Sequence, residues 1–175
     1  MIAKTLFVGI GSPHGDDQAG WHVADALVDR LQASPIALSG GATAGSNSPV
    51  RPQSQLVVRK ARSPADVLDW IKGIDRLVIC DACRSSGPPG SAYRWTWPDP
   101  AIEQTHCSGS HDMGLASVLA LAQRLHSLPP AVIVWGLEAE NPQLQDDLSA
   151  SRFSTSVATR VAEIVNSIWS DLVHA

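Results

Sequence analysis

Apolar residues in this chain come in short unbroken runs separated by longer stretches of helical periodicity. Leu6-Phe7-Val8, Leu56-Val57-Val58, Leu77-Val78-Ile79-Cys80 and Val132-Ile133-Val134-Trp135 are the runs. They are apolar without alternation, as strands covered on both faces are. Between them lie four stretches with apolar residues three and four apart. The first is a predicted helix from Gln18 to Leu31 carrying Ala19, Val23, Ala24, Leu27, Val28 and Leu31. The second opens at Ser63-Pro64, a good cap and first turn, buries Val67, Leu68 and Ile71, and stops at Gly73. The third opens at Ser110-His111-Asp112-Met113-Gly114 and carries Leu115, Val118, Leu119, Ala122 and Leu125. The last runs from Ser154 to Val173.

Other segments read differently. Tyr93 to Trp97 alternates polar with aromatic residues and ends at Pro98, which predicts an edge strand. Ile36 to Leu38 is a short apolar piece. Residues 39–55 are rich in Gly, Ala, Ser, Asn and Pro and predict a mobile loop. Arg59-Lys60-Ala61-Arg62 reads as a basic turn, and Ser85 to Ser91 as a loop. A polar loop with Glu138, Glu140 and Asp146 is expected after Gly136. Strand and helix alternate, so the expected fold class is α/β. It is a three-layer sandwich, with a twisted, mostly parallel sheet of about five strands and helices on both faces. The 175 residues suit one domain, 1–175.

The turn after the first strand is Gly9-Ile10-Gly11-Ser12-Pro13-His14-Gly15-Asp16-Asp17. Its glycines are not spaced as G-x-G-x-x-G, and acids at a helix start repel a pyrophosphate. Three readings stand: a phosphate turn, a structural turn with a capping Asp, or an acid-bearing active-site turn. One of Asp16 and Asp17 can cap the helix, which leaves the other for chemistry.

Composition narrows the classes. A net charge of −4 gives no basic footprint for nucleic acid. The apolar runs are too short to span a bilayer, and no signal segment is evident, so the expected location is cytoplasmic. The 3 cysteines argue against a disulfide framework.

In a parallel sheet, ligands bind beyond the carboxyl ends of the strands. Asp16 and Asp17 follow the first strand, Asp81 ends the Leu77–Cys80 run, and His111 precedes a helix. All can lie on one rim. Two carboxylates and an imidazole suit a divalent transition metal such as Ni, Zn, Cu or Fe.

Read in order, three segments resemble the [NiFe]-hydrogenase maturation endopeptidases. They are Gly9-Ile10-Gly11 with Gly15-Asp16-Asp17-Gln18-Ala19-Gly20, then Leu77-Val78-Ile79-Cys80-Asp81-Ala82, then Ser110-His111-Asp112-Met113-Gly114-Leu115. The later Gly136-Leu137-Glu138 is also similar to that family. The resemblance implies an aspartyl-type endopeptidase that removes a C-terminal peptide from the nickel-loaded hydrogenase large-subunit precursor. It implies that Asp17, Asp81 and His111 are the catalytic, metal-contacting residues. They would recognise nickel in the substrate, with no permanently bound metal and no other cofactor. Three departures are visible. The first loop reads Ser12-Pro13-His14 and is one residue short, so assigning the ligand to Asp17 rather than Asp16 is a choice. The family's Asp-Gly-Gly-Thr turn is replaced by Arg59-Lys60-Ala61-Arg62, while Gly40-Gly41-Ala42-Thr43 lies earlier. In these features the chain resembles members serving bidirectional NAD-linked hydrogenases.

Competing readings remain. One is a non-enzymatic α/β domain binding a metal or nucleotide. Arg59-Lys60 stands where a ribose-binding acid would be, which disfavours NAD. Another is a structural zinc or redox site built from Cys80-x-x-Cys83 with His106 and Cys107. Against it, strand alternation turns Cys80 away from Asp81 and into the core. His14 is a turn residue or auxiliary ligand. His22, His126 and His174 read as surface residues. Trp21 and Trp135 adjoin the rim and are candidates to line it. Arg59, Lys60 and Arg62 are a solvated turn or a contact for an acidic or C-terminal carboxylate.

Overall fold

The computed structural model describes residues 3–33, 55–85, 87–107, 113–140 and 153–173. Strand β1 (Lys4–Ile10) is buried at every position after Lys4. It pairs in parallel with β2 (Gln55–Ala61) and with β3 (Arg76–Arg84). Beyond β3 lies β6 (Ala131–Glu138), parallel, and then β4 (Ala92–Thr96), antiparallel to it at the edge. The order is therefore β2-β1-β3-β6-β4, and a two-residue β5 (His106–Cys107) pairs antiparallel with the end of β3. The sheet has six strands where about five were expected.

Two apolar layers cover it. Phe7, Val78, Cys80, Ile133, Trp135 and Leu137 pack with α1 (Ala19–Ala33) and α4 (Thr155–Val173). Leu6, Val8, Ile79, Val132 and Val134 pack on the other face with α2 (Pro100–Gln104), α3 (Leu115–Arg124) and a 3₁₀ turn over Pro64–Asp69. That is the three-layer α/β arrangement. Among the described residues, no helix is long and apolar enough to cross a membrane.

Several expectations need correction. The 64–69 element is 3₁₀ and not α, although Ser63 caps it through a box with Asp66 as its polar pattern implies. Arg59, Lys60 and Ala61 form the end of β2, in register with Val8, Gly9 and Ile10, and not a turn. Pairing with β1 extends the strand past its apolar part. Gln55, placed in the mobile loop by composition, begins β2. Strand β3 continues three residues past Asp81, and β6 runs through Glu138 instead of stopping at Gly136. Helix α2 and strand β5 carry no periodicity and were not expected. Ile36–Leu38, the rest of the 39–55 segment, Ser110–Asp112, Asp146 and His174 lie outside the described residues.

Helix α1 lies unusually close to β1. A Cβ on Gly9 would meet the Gly20 carbonyl oxygen at 2.0 Å, and one on Gly20 would meet the Ile10 oxygen at 2.1 Å and the Cys80 oxygen at 2.5 Å. Only glycine allows that approach. At the far end of the molecule, Asp171 of α4 is tied to β4 by Arg94, whose Nε lies 2.9 Å from its carboxylate. Arg76 donates to the Asp171 carbonyl at 2.9 Å, and burial pushes its guanidinium below the usual arginine range, with Asp171 opposing that shift.

Candidate active site

The glycine turn delivers its two acids to different surroundings. Gly15 has φ of 50°, and residues Gly15–Gln18 form a 3₁₀ turn leading into α1. Successive side chains in such a turn diverge by roughly 120°, so neighbours cannot share one environment. Asp16 points toward the start of α4. It is 8% exposed, and its carboxylate accepts from Glu140 N at 2.8 Å, Ser154 N at 2.7 Å and Ser154 Oγ at 2.9 Å. It does not cap its own helix, whose N-cap position is His14, with no side-chain cap bond. Asp16 instead holds the chain on both sides of residues 141–152, since negative charge is favourable against free N–H groups at a helix start.

Asp17 is half-buried. Its backbone is fixed by two bonds, Asp17 N to His14 O and Ser12 N to Asp17 O. Among the described residues its carboxylate has no hydrogen bond and no ion pair. The turn it occupies is in contact with β3. Asp81 lies in that strand, fully buried at 0% exposure, in register with Gly136. The structure thus brings Asp17 and the Asp81 strand to the same rim. His111 lies outside the described residues. Among the described residues, no group of three His, Cys, Asp or Glu stands ready-made as a metal site.

The rival sites fare as follows. Cys80 and Cys83 lie on opposite faces of β3: Cys80 is in the α1–α4 layer and Cys83 in the α3 layer. They cannot grip one ion, which removes the Cys80-x-x-Cys83 zinc or redox site. Trp135 is buried in the α1–α4 layer, on the face opposite Asp81. Trp21 donates from Nε1 to Ala61 O at 2.8 Å, and Lys60 Nζ sits 6.0 Å from its ring centroid. Lys60 is paired with Asp25, and Arg59 lies over the Trp70 ring at 5.0 Å. Both cations are engaged with the edge of the fold. His14 is exposed, and His22 stacks on Phe153. A hollow of about 400 Å³ lies between Trp97-Pro98 and Pro129-Pro130, at the strand ends opposite the acids. Apart from His126 its lining cannot titrate.

Glu138 was assigned to a loop and is instead a buried strand residue. Its signal was period two: it follows Val134 and Gly136 and so shares their face.

A doubly wound α/β domain with carboxylates at the carboxyl ends of its central strands is the class these observations define. A family model described as hydrogenase maturation protease (HycI) matches residues 61–171. The chain therefore belongs to the hydrogenase maturation proteases and is a peptidase, which sets aside the non-enzymatic reading. No curated protein matches it in sequence. Solved structures match in fold. The hydrogenase maturating endopeptidase HybD from E. coli superposes with a TM-score of 0.66 at 15% identity, over 97% of this chain and 91% of that one. The [NiFe] hydrogenase maturation protease HybD from Thermococcus kodakarensis gives 0.61 at 17%, over 97% and 99%. The hydrogenase 2 maturation peptidase from a Thaumarchaeota archaeon gives 0.55 at 21%, over 97% of each.

Proposed function

We propose that this peptidase removes a C-terminal peptide from a nickel-loaded [NiFe]-hydrogenase large-subunit precursor, and that Asp17, Asp81 and His111 contact the nickel which the substrate brings. The division of labour between the paired acids carries this reading. Asp16 is occupied by three hydrogen bonds, while Asp17, half-buried in a turn that contacts the strand of Asp81, has no side-chain hydrogen bond or ion pair among the described residues. Two carboxylate oxygens and an imidazole form a donor set that suits Ni²⁺ and leaves positions for the substrate's own ligands. In this scheme the enzyme's groups hold the precursor by its metal and set the adjoining C-terminal segment at the rim. Orientation of this kind is worth orders of magnitude in rate.

The test is incubation of nickel-loaded precursor with wild-type protein, Asp17→Asn and His111→Ala, read by mass spectrometry. Wild type should shorten the precursor, and each variant should slow cleavage on the order of a hundredfold or more. Absence of cleavage by wild type, or full rates in both variants, overturns the proposal.

A further inference from the structure

A second buried carboxylate stands on the face of the sheet that carries Asp81. Glu138 is 4% exposed and in register with Cys83, as Asp81 is with Gly136. Period two places all four on one face. The support of β3 changes at this point. Strand β1 pairs with it only as far as Cys80, and β5 joins only at Cys83 and Arg84. Asp81 therefore sits where one neighbouring strand has ended and the next has not begun.

On the other side the bonds gather on Glu138. Its Oε1 accepts from Ser85 N at 2.8 Å and its Oε2 from the Ser85 hydroxyl at 2.5 Å, with Cys83 Sγ 4.0 Å from Oε2. The main chain at 138–139 continues the lock: Glu138 N donates to Ser91 O, Gly90 N donates to Glu138 O, and the next residue's N, of Ala139, donates to Cys83 O. The Ser85 hydroxyl also lies 3.3 Å from Tyr93 Oη and accepts from Gly87 N. A carboxylate in so dry a place is tolerated only when its oxygens are bonded. Among the described residues, every side-chain hydrogen-bond partner of Glu138 belongs to the stretch just past Asp81.

We infer that Glu138 is a positioning residue of the peptidase site, which fixes the end of β3 and with it Asp81, without touching substrate. This rests on the role given to Asp81 above. Gln at 138 keeps an acceptor for Ser85 N and a polar partner for its hydroxyl, whereas Ala removes both.

Two readouts test it. Hydrogen exchange over residues 80–91 should be about tenfold faster in Glu138→Ala, near wild type in Glu138→Gln, and unchanged in β1 and β2 for both. On nickel-loaded precursor, well below the unfolding temperature, Glu138→Ala should lower kcat about tenfold with KM within about twofold, and Glu138→Gln should restore most of it. Unchanged exchange in Glu138→Ala overturns the inference whatever cleavage shows. So does a Gln variant as impaired as Ala. If Glu138→Ala does not fold, Ser85→Ala takes its place: faster exchange over 80–91 is expected, and none overturns the inference. Failure of wild type to cleave sinks the proposed function instead, and the exchange result still decides this one.

Discussion

Replacing Asp16 should unfold the protein sooner, whereas replacing Asp17 should silence it. Asp16→Ala strands three donors: Glu140 N, Ser154 N and Ser154 Oγ. Each is part-buried, so water reaches some of the space and the low end of the usual range applies, about 1 kcal/mol per stranded donor. The sum, roughly 3 kcal/mol, corresponds to a Tm drop of about 6–12 °C for a chain of this size. Asp16→Asn keeps one acceptor oxygen but turns an amide donor toward N–H groups, so a drop of about half that is expected. Asp17→Asn removes no hydrogen bond among the described residues and should stay within about 0.5 kcal/mol, or roughly 2 °C. Circular dichroism melts of the three variants, with precursor cleavage run well below each Tm, separate the two effects. Equal Tm losses at 16 and 17 would refute the assignment of structural and chemical roles. An active Asp17→Asn beside an inactive, folded Asp16→Asn would show that the short glycine turn has moved the ligand by one residue.

Gly20→Ala should destabilise by about 3 kcal/mol or more in urea unfolding, because its Cβ would meet the backbone oxygens of Ile10 and Cys80 and not a yielding side chain. Cys80 and Cys83 should resist a thiol reagent until the protein is unfolded, since both are buried and reduced; fast native reaction at either would contradict the packing. Incubation with EDTA should leave the Tm of the purified protein within about 2 °C, because the proposed site is completed only by substrate, and a larger fall would point to a resident structural metal.

Much of the fold was legible because buried strands and amphipathic helices leave strong periodic signals. Val78, Ile79 and Cys80 announce a central strand, and Val157, Ile164 and Ile168 announce α4, from their own side chains alone. Strand ends were less legible because pairing, not hydrophobicity, decides them. Arg59 and Lys60 belong to β2 since β1 continues beside them, and Glu138 belongs to β6 since β3 does. The turn acids were visible as a pair, but their separate roles were not. The partners of Asp16 lie 124 and 138 residues away, beyond the reach of any local pattern. The zinc alternative arose from spacing alone and fell once Cys80 and Cys83 were set on a strand, where three residues apart means opposite faces.

The reach of Asp16 also orders events during synthesis. The glycine turn is made well before residues 140 and 154, whose backbone groups bond its Asp16 carboxylate. Strand β1 cannot complete its pairing before β2 and β3 exist, and the turn behind it cannot lock before α4 begins to form. Contacts of such long sequence separation are slow to close. A nascent chain halted before residue 140 thus lacks all three hydrogen bonds to the Asp16 carboxylate. The side-chain anchoring of the glycine turn therefore waits until residues 140 and 154 have both been made.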